Sequence, residues 1–249
     1  MLALPAFTLD GMTSLTDEER WNAWCADFDE VEKELYALFH TRWMFRTITG
    51  MLKHSEVQQY TTVQNYILRT YVATVCTAVR READADQRTT SLARCLRALV
   101  ECPHFANRAR YAALVAESIP DEDPTYVENA VDEGFRLFAP GGGDYIDADL
   151  VTLNIERLLK AAAPVKKYTN QVLAHRERQG KVRREHVSFD QINHALNELS
   201  QVARHYYLLR HPGVGLMMFT PSADLTFLNM FKQPWYRQGY ETPDETTMG

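Results

Sequence analysis

Residues 16–38 read TDEERWNAWCADFDEVEKELYAL, and this stretch decides the fold class. Thr16 and Glu19 stand at the spacing of a capping box, in which each side chain meets the other residue's backbone N–H where a helix starts. Trp21, Trp24, Phe28, Val31, Leu35 and Leu38 follow at alternating steps of three and four, which draws one apolar stripe along a helix. The pattern predicts a long amphipathic helix from Thr16 to about His54, with Gly50 as the place for a break.

The same rhythm recurs outward from there. A second helix is expected from near Val57, with Tyr60, Val63, Ile67, Tyr71, Val75 and Val79 on one face, ending in the polar run RREADADQR. A third, capped by Thr90 or Ser91, carries Leu92, Leu96 and Leu99 and stops at Pro103, because proline lacks the N–H that a helix interior needs. Ala106 to Ala116 and Tyr126 to Phe138 form a helical hairpin about the turn SIPDEDP, closed by the loop APGGGD, and residues 104–143 read as an insertion. Val151, Ile155, Leu158, Ala162, Val165, Tyr168, Val172 and His175 continue the helical spacing across Pro164, where a kink or restart is expected. Ser188 and Gln191 form another capping box before Ile192, Ala195, Leu199, Val202 and Tyr206. No window has the alternation or β-branched density of a strand pair, so the fold is predicted all-α. Residues 1–15 read as an extension, 16–211 as the helical domain and 212–249 as an irregular tail. Phe219, Phe227, Phe231, Trp235 and Tyr236 of that tail are too apolar to be left wholly in water.

Composition narrows the function classes. The 249 residues are 45% hydrophobic and 24% charged, which suits a chain with a sizeable core and excludes a disordered polymer. A net charge of −6 argues against a protein that coats nucleic acid over its whole surface, while leaving room for a local basic patch. No run approaches the ~18 apolar residues of a membrane span, and the start MLALPAFTLDGM lacks the basic flank of a secretory signal, so a soluble cytoplasmic protein without membrane contact is expected. Cys25, Cys76, Cys95 and Cys102 show no CxxC pair and no His at zinc-ligand spacing; they read as small buried hydrophobes, with no disulfide, metal or cofactor expected.

Two features could carry chemistry. From Lys166 to His186 the chain places Lys166, Lys167, Arg176, Arg178, Lys181, Arg183 and Arg184 against Glu177 and Glu185, seven cations to two acids, a net of +5 that leaves −11 for the rest. Such a patch suits a phosphate backbone, and it equally suits a solvated loop after a helix C-terminus. His175 continues the apolar stripe into these cations, on a face shared with Tyr168, Gln171 and Val172. A half-buried imidazole there favours the neutral form that accepts a proton, although a histidine on an apolar face is more often a packing residue. Separately, Asp84 follows Arg80 by four residues and Arg81 by three, a spacing that predicts an ion pair fixing the end of the second helix.

TNQVLAHRER, then VSFDQINHALNELSQVARHYYLL, with AVRREADADQRTTSLARCLRAL upstream, resembles the abortive-infection AbiU-like branch of the HEPN superfamily of helical nucleotide-binding domains. The resemblance covers roughly Val31 to Leu209. Arg80, Arg81, Asp84, Ser91 and Leu92 carry it in the upstream block, and Asn170, Ala174, His175, Tyr206 and Tyr207 in the downstream ones.

The resemblance implies a HEPN-like bundle and a homodimer that acts on RNA in abortive infection or a toxin-antitoxin system, with an antitoxin or other defence-operon protein as a further partner. Many such proteins are metal-independent endoribonucleases whose motif is an Arg, a polar residue and then a His. Asn170 and His175 hold the polar and His places here, and Thr169 holds the Arg place. In that chemistry the His exchanges a proton with the 2′-hydroxyl or the leaving 5′-oxygen, while the Arg steadies charge on the transition state. The competing expectation is a catalytically inactive module that binds nucleic acid or nucleotide, or that regulates a defence system through dimerisation. Tyr206 and Tyr207 read as packing residues whose hydroxyls reach the surface.

Overall fold

The computed structural model describes residues 15–54, 61–86, 88–120, 122–174 and 186–213. Over these residues the chain is all-α. Its helices are α1 (Asp17–His54), α2 (Thr61–Glu82), α3 (Leu92–Glu101), α4 (Arg108–Ser118), α5 (Pro124–Phe135), α6 (Ala148–Tyr168) and α7 (Phe189–Arg210). A 3-10 turn at Pro103–Phe105 follows α3, and a π-helical turn at Thr169–Ala174 extends α6.

The start of α1 is the expected capping box: Thr16 N donates to Glu19 Oε2 at 2.8 Å and Glu19 N to Thr16 Oγ1 at 3.2 Å. All six residues of its stripe are buried. Trp24 stacks between Trp21 and Phe28, with ring centroids 5.3 and 4.9 Å away, and its indole N–H donates to the Cys95 carbonyl of α3 at 3.1 Å. Contrary to the sequence reading, α1 runs unbroken through Gly50. A glycine inside a helix costs only about 1 kcal/mol relative to alanine, and the neighbouring turns outweigh it.

Of the α2 stripe, Tyr71, Val75 and Val79 are buried, Ile67 is half-buried and Val63 is exposed; Val57 and Tyr60 lie outside the described residues. No described side chain of α1 after Phe39 is buried, and none of α2 before Tyr71. The two helices therefore run on together past the core.

Helix α6 sits at the centre, against α2, α3 and α7. Its buried face is Val151, Asn154, Ile155, Leu158, Ala161, Ala162 and Val165. Pro164 neither stops nor restarts it: the helix continues to Tyr168 and then widens into the π-turn. Helix α7 opens on the second capping box, with Ser188 N to Gln191 Oε1 at 2.9 Å and Gln191 N to Ser188 Oγ at 3.1 Å. The Tyr206 ring is wholly buried and its hydroxyl accepts from Asn154 Nδ2 at 3.1 Å, so it ties α7 to α6 and does not reach the surface as the sequence suggested. Tyr207 is half-buried and packs its ring on His211.

The stretch read as an insertion supplies Tyr111, Val115, Val131, Phe135 and Phe138 to the same apolar cluster as α1, α6 and α7. In its loop, Gly142 adopts φ +77°, a left-handed turn that L side chains rarely adopt. Cys25, Cys76 and Cys95 are buried and Cys102 is half-buried; burial pushes the Cys25 thiol up to about 11 and Cys76 to about 12, so both stay protonated and inert. No described helix is long and apolar enough to cross a membrane.

Candidate nucleic-acid interface

The π-turn that ends α6 puts Thr169 and Asn170, two of the positions that the resemblance singles out, in different surroundings. Thr169 is 3% exposed, and its hydroxyl contacts two carbonyls, Val165 of its own helix at 2.8 Å and Cys76 of α2 at 3.2 Å. The position that the resemblance assigns to a phosphate-facing arginine is thus a buried helix contact. Asn170, one residue on, is exposed. His175 lies outside the described residues, as do Arg176, Arg178, Lys181, Arg183 and Arg184. Lys166 is half-buried and donates to the Ala83 carbonyl at 3.4 Å, where it caps the C-terminal end of α2, and Lys167 is exposed.

The ion pair at the end of α2 differs from the expected one. Arg81 pairs with Glu34 of α1 and, at 3.3 Å, with Glu82, while Asp84 Oδ1 accepts from Asp86 N at 3.2 Å and its carbonyl accepts from the Ser91 hydroxyl. Helical spacing brought Asp84 near both arginines, but α2 ends at Glu82, so Asp84 turns into the loop that leads to α3. Arg80 is half-buried and enters no ion pair among the described residues. Glu82 is 1% exposed, and its carboxylate accepts from Leu92 N at 3.0 Å, supplying a cap to α3 beside that of Ser91. Burial raises its pKa above the ordinary carboxylate range, opposed by the Leu92 N–H and by Arg81.

A basic surface lies at the end of the bundle where α1 and α2 outrun the core. The strongly basic segment is flanked by the π-turn, which Thr169 fastens to α2, and by the start of α7, where Phe189 stacks toward Tyr71 of α2 with centroids 6.4 Å apart. Phe45 of α1 completes that stack, 3.7 Å from Tyr71. Three residues before Phe45 and one after it on α1 are arginines that the motif-based reading missed. Arg42 Nη2 donates to Asn193 Oδ1 at 3.1 Å and to Asn197 Oδ1 at 3.0 Å, both on α7, and Arg46 is exposed beside it. The signal was in the sequence as an absence of acids: between Glu34 and Glu82 the only carboxylate is Glu56, against Arg42, Arg46, Lys53, Arg69, Arg80 and Arg81. Trp43, between Arg42 and Arg46 in the chain, is half-buried, and Tyr66 and Phe189 are exposed.

A groove and a side-chain cluster lie elsewhere among the described residues. A groove of about 440 Å³ between α1 and α2 is lined by Ala37, Thr41, Ala73, Thr74 and Thr77, with the Glu34–Arg81 pair at its edge. At the far end of α7, Asp29, Glu32 and His211 bring three donor atoms within 4.8 Å of one another. Arg210 Nε lies 3.7 Å from Asp29, and His211 Nε2 lies 3.2 Å from Glu32, an arrangement of charge partners joining α1 to α7 rather than a clear cation site.

No family model, curated protein or solved structure matches the chain.

Proposed function

We propose that the chain is an RNA-binding helical module of a defence system, related to the HEPN proteins it resembles, which grips the phosphate backbone at the end of the bundle formed by α1, α2 and the start of α7. One observation carries this reading: Arg42 and Arg46, in no ion pair among the described residues, stand beside the stacked rings of Phe45, Tyr71 and Phe189 in a protein whose net charge is −6. Backbone phosphates supply the missing counter-charge, and the rings offer stacking surfaces to unpaired bases. The described residues on either side of the segment that holds Arg178, Arg183 and Arg184 pack on α2, through Thr169 and Phe189. Replacing those three arginines by glutamine is expected to weaken binding of single-stranded RNA for every sequence and to flatten its salt dependence. Unchanged affinity in that mutant, measured by fluorescence anisotropy across a salt series, moves the interface elsewhere.

A second reading, metal-independent RNA cleavage by His175 with Asn170, is favoured by the exposure of Asn170 on a π-turn, since π-turns inside helices are frequent at functional sites. It has to work without an arginine at position 169. Incubating mixed RNA with chelator and scoring 2′,3′-cyclic phosphate ends decides it: cleavage lost in His175→Ala supports an enzyme, and binding without cleavage leaves the module reading alone.

A further inference from the structure

We propose that Arg42 and Arg46 form a preorganised site for one phosphate group, with Asn193 and Asn197 holding Arg42 in place. The inference deepens the RNA-binding reading but stands on its own geometry.

The two arginines are one helical turn apart on α1, so two positive charges share one face. Like charges at this spacing repel, and a partner carboxylate is the usual remedy. None is present among the described residues. Both contacts of Arg42 are to neutral amide oxygens on α7, made through Nη2, and its Nε is buried without a hydrogen-bond partner. Burial and the Arg46 charge both lower the proton affinity of Arg42, and only the Tyr71 hydroxyl acts the other way.

The carboxylates that could have balanced the pair are engaged elsewhere or stand apart. Glu198 of α7 is bonded to Arg157 of α6 at 2.8 Å, and Glu34 of α1 to Arg81. Asp190, in the first turn of α7, makes no ion pair with either arginine. Arg42 meets α7 at its second and third turns, where no acidic side chain bonds to it. Two positive charges thus share one face with no ion-paired protein anion between them, while two asparagine side chains hold one guanidinium fixed. A fixed guanidinium loses little freedom when it donates to an oxyanion through its remaining Nη1, and Arg46, exposed, can close on the same group.

A diester in an RNA backbone and the phosphate of a free nucleotide share this chemistry, and the test separates them. The full-length protein, wild type and Arg46→Gln, is titrated with a fluorescent single-stranded RNA across a salt series, and separately with adenosine monophosphate and inorganic phosphate by calorimetry. Lys33→Gln, which removes an exposed cation paired with Glu30 on an earlier turn of α1, is the control for net charge. Arg46 is exposed, so its loss should leave the thermal midpoint unchanged, and Arg42→Lys adds a variant that keeps the charge but loses the planar guanidinium that the two asparagines hold. The expected result is a fall in RNA affinity of about five- to tenfold near 0.1 M salt in Arg46→Gln, with the salt slope reduced by about one contact, and no change in Lys33→Gln. Free nucleotide or phosphate binding that depends on Arg46, with no RNA binding by the wild type, keeps the site and overturns the RNA reading. RNA binding unaffected by Arg46→Gln overturns the site and leaves the RNA reading standing. Binding of none of the three probes by the wild type overturns both.

Discussion

Thr169 shows how much one residue's surroundings change its meaning. Read along the chain, it is the vacancy left by a catalytic arginine, and Thr169→Arg looks like a repair. In the fold its hydroxyl lies between the Val165 and Cys76 carbonyls with almost no solvent contact. An arginine there forces a guanidinium between α6 and α2, and an unpaired buried charge is among the few changes that cost more than ~4 kcal/mol. Thr169→Arg is therefore expected to lower the urea midpoint sharply or to prevent folding, with no gain in RNA cleavage. Thr169→Val, which loses only the hydroxyl's bonds, should cost about 1 kcal/mol. Equal stability of the arginine variant and wild type would show that the position opens to solvent. Glu82 is a second residue whose role is set by burial. Its carboxyl is raised above 4.5, chiefly by desolvation, so the folded state holds the proton more tightly than the unfolded chain. This contribution to stability is fully present below pH 4.5 and is lost as pH rises through the elevated folded value. In urea titrations from pH 4 to 7, Glu82→Gln should remove that decline; a wild-type slope that persists in the mutant assigns it to another group.

At the scale of elements, the junctions between helices are held by a few buried polar contacts. The Asn154–Tyr206 bond joins α6 to α7 inside the apolar cluster. Tyr206→Phe leaves the Asn154 amide without that partner and is expected to destabilise by about 1–3 kcal/mol. A double-mutant cycle with Asn154→Ala should give a coupling above ~0.5 kcal/mol, as contacting residues do. Additive losses would mean that water replaces the hydroxyl. Helix starts also show where sequence signals are local and where they are not. The boxes at Thr16–Glu19 and Ser188–Gln191 are legible because each is complete within four residues. The start of α5 was missed by two residues, although Asp123 accepts from Thr125 N at 2.8 Å and Pro124 takes the first helical place. The hydrophobic spacing there begins at Tyr126, after the cap, so an apolar count alone reads the helix late.

For the whole molecule, the HEPN resemblance implies a homodimer, and the apolar side chains beyond the core give that expectation a physical basis. Val63, Tyr66, Val172 and Phe189 are all exposed near the end where α1 and α2 outrun the bundle. Light scattering at micromolar concentration is expected to return a mass near twice 28.7 kDa. A monomer would count against any composite site built from two copies. Should the dimer form through this end, RNA and the second copy would compete for neighbouring surface, and RNA affinity would fall as protein concentration rises.

The sequence alone determined the helical class and most of the buried face of each helix, because both follow from a spacing of three and four residues that any helix must present to a core. It determined too that positive charge is concentrated between Lys166 and Arg184 in an acidic chain. Tertiary structure decided the rest. Whether Thr169 faces solvent, whether Asp84 or Glu34 answers Arg81, and whether Tyr206 ends in water or on Asn154 all depend on which helix packs against which, across separations of 47 to 93 residues in the contacts that form. The Arg42–Arg46 pair shows the division most plainly: its charges can be read from the chain, but the missing counter-charge appears only when α7 brings two asparagines to Arg42 where an acid would otherwise be needed. Local periodicity is a property of the backbone and is written in one segment. Electrostatic balance is a property of space, and only the packed helices set it.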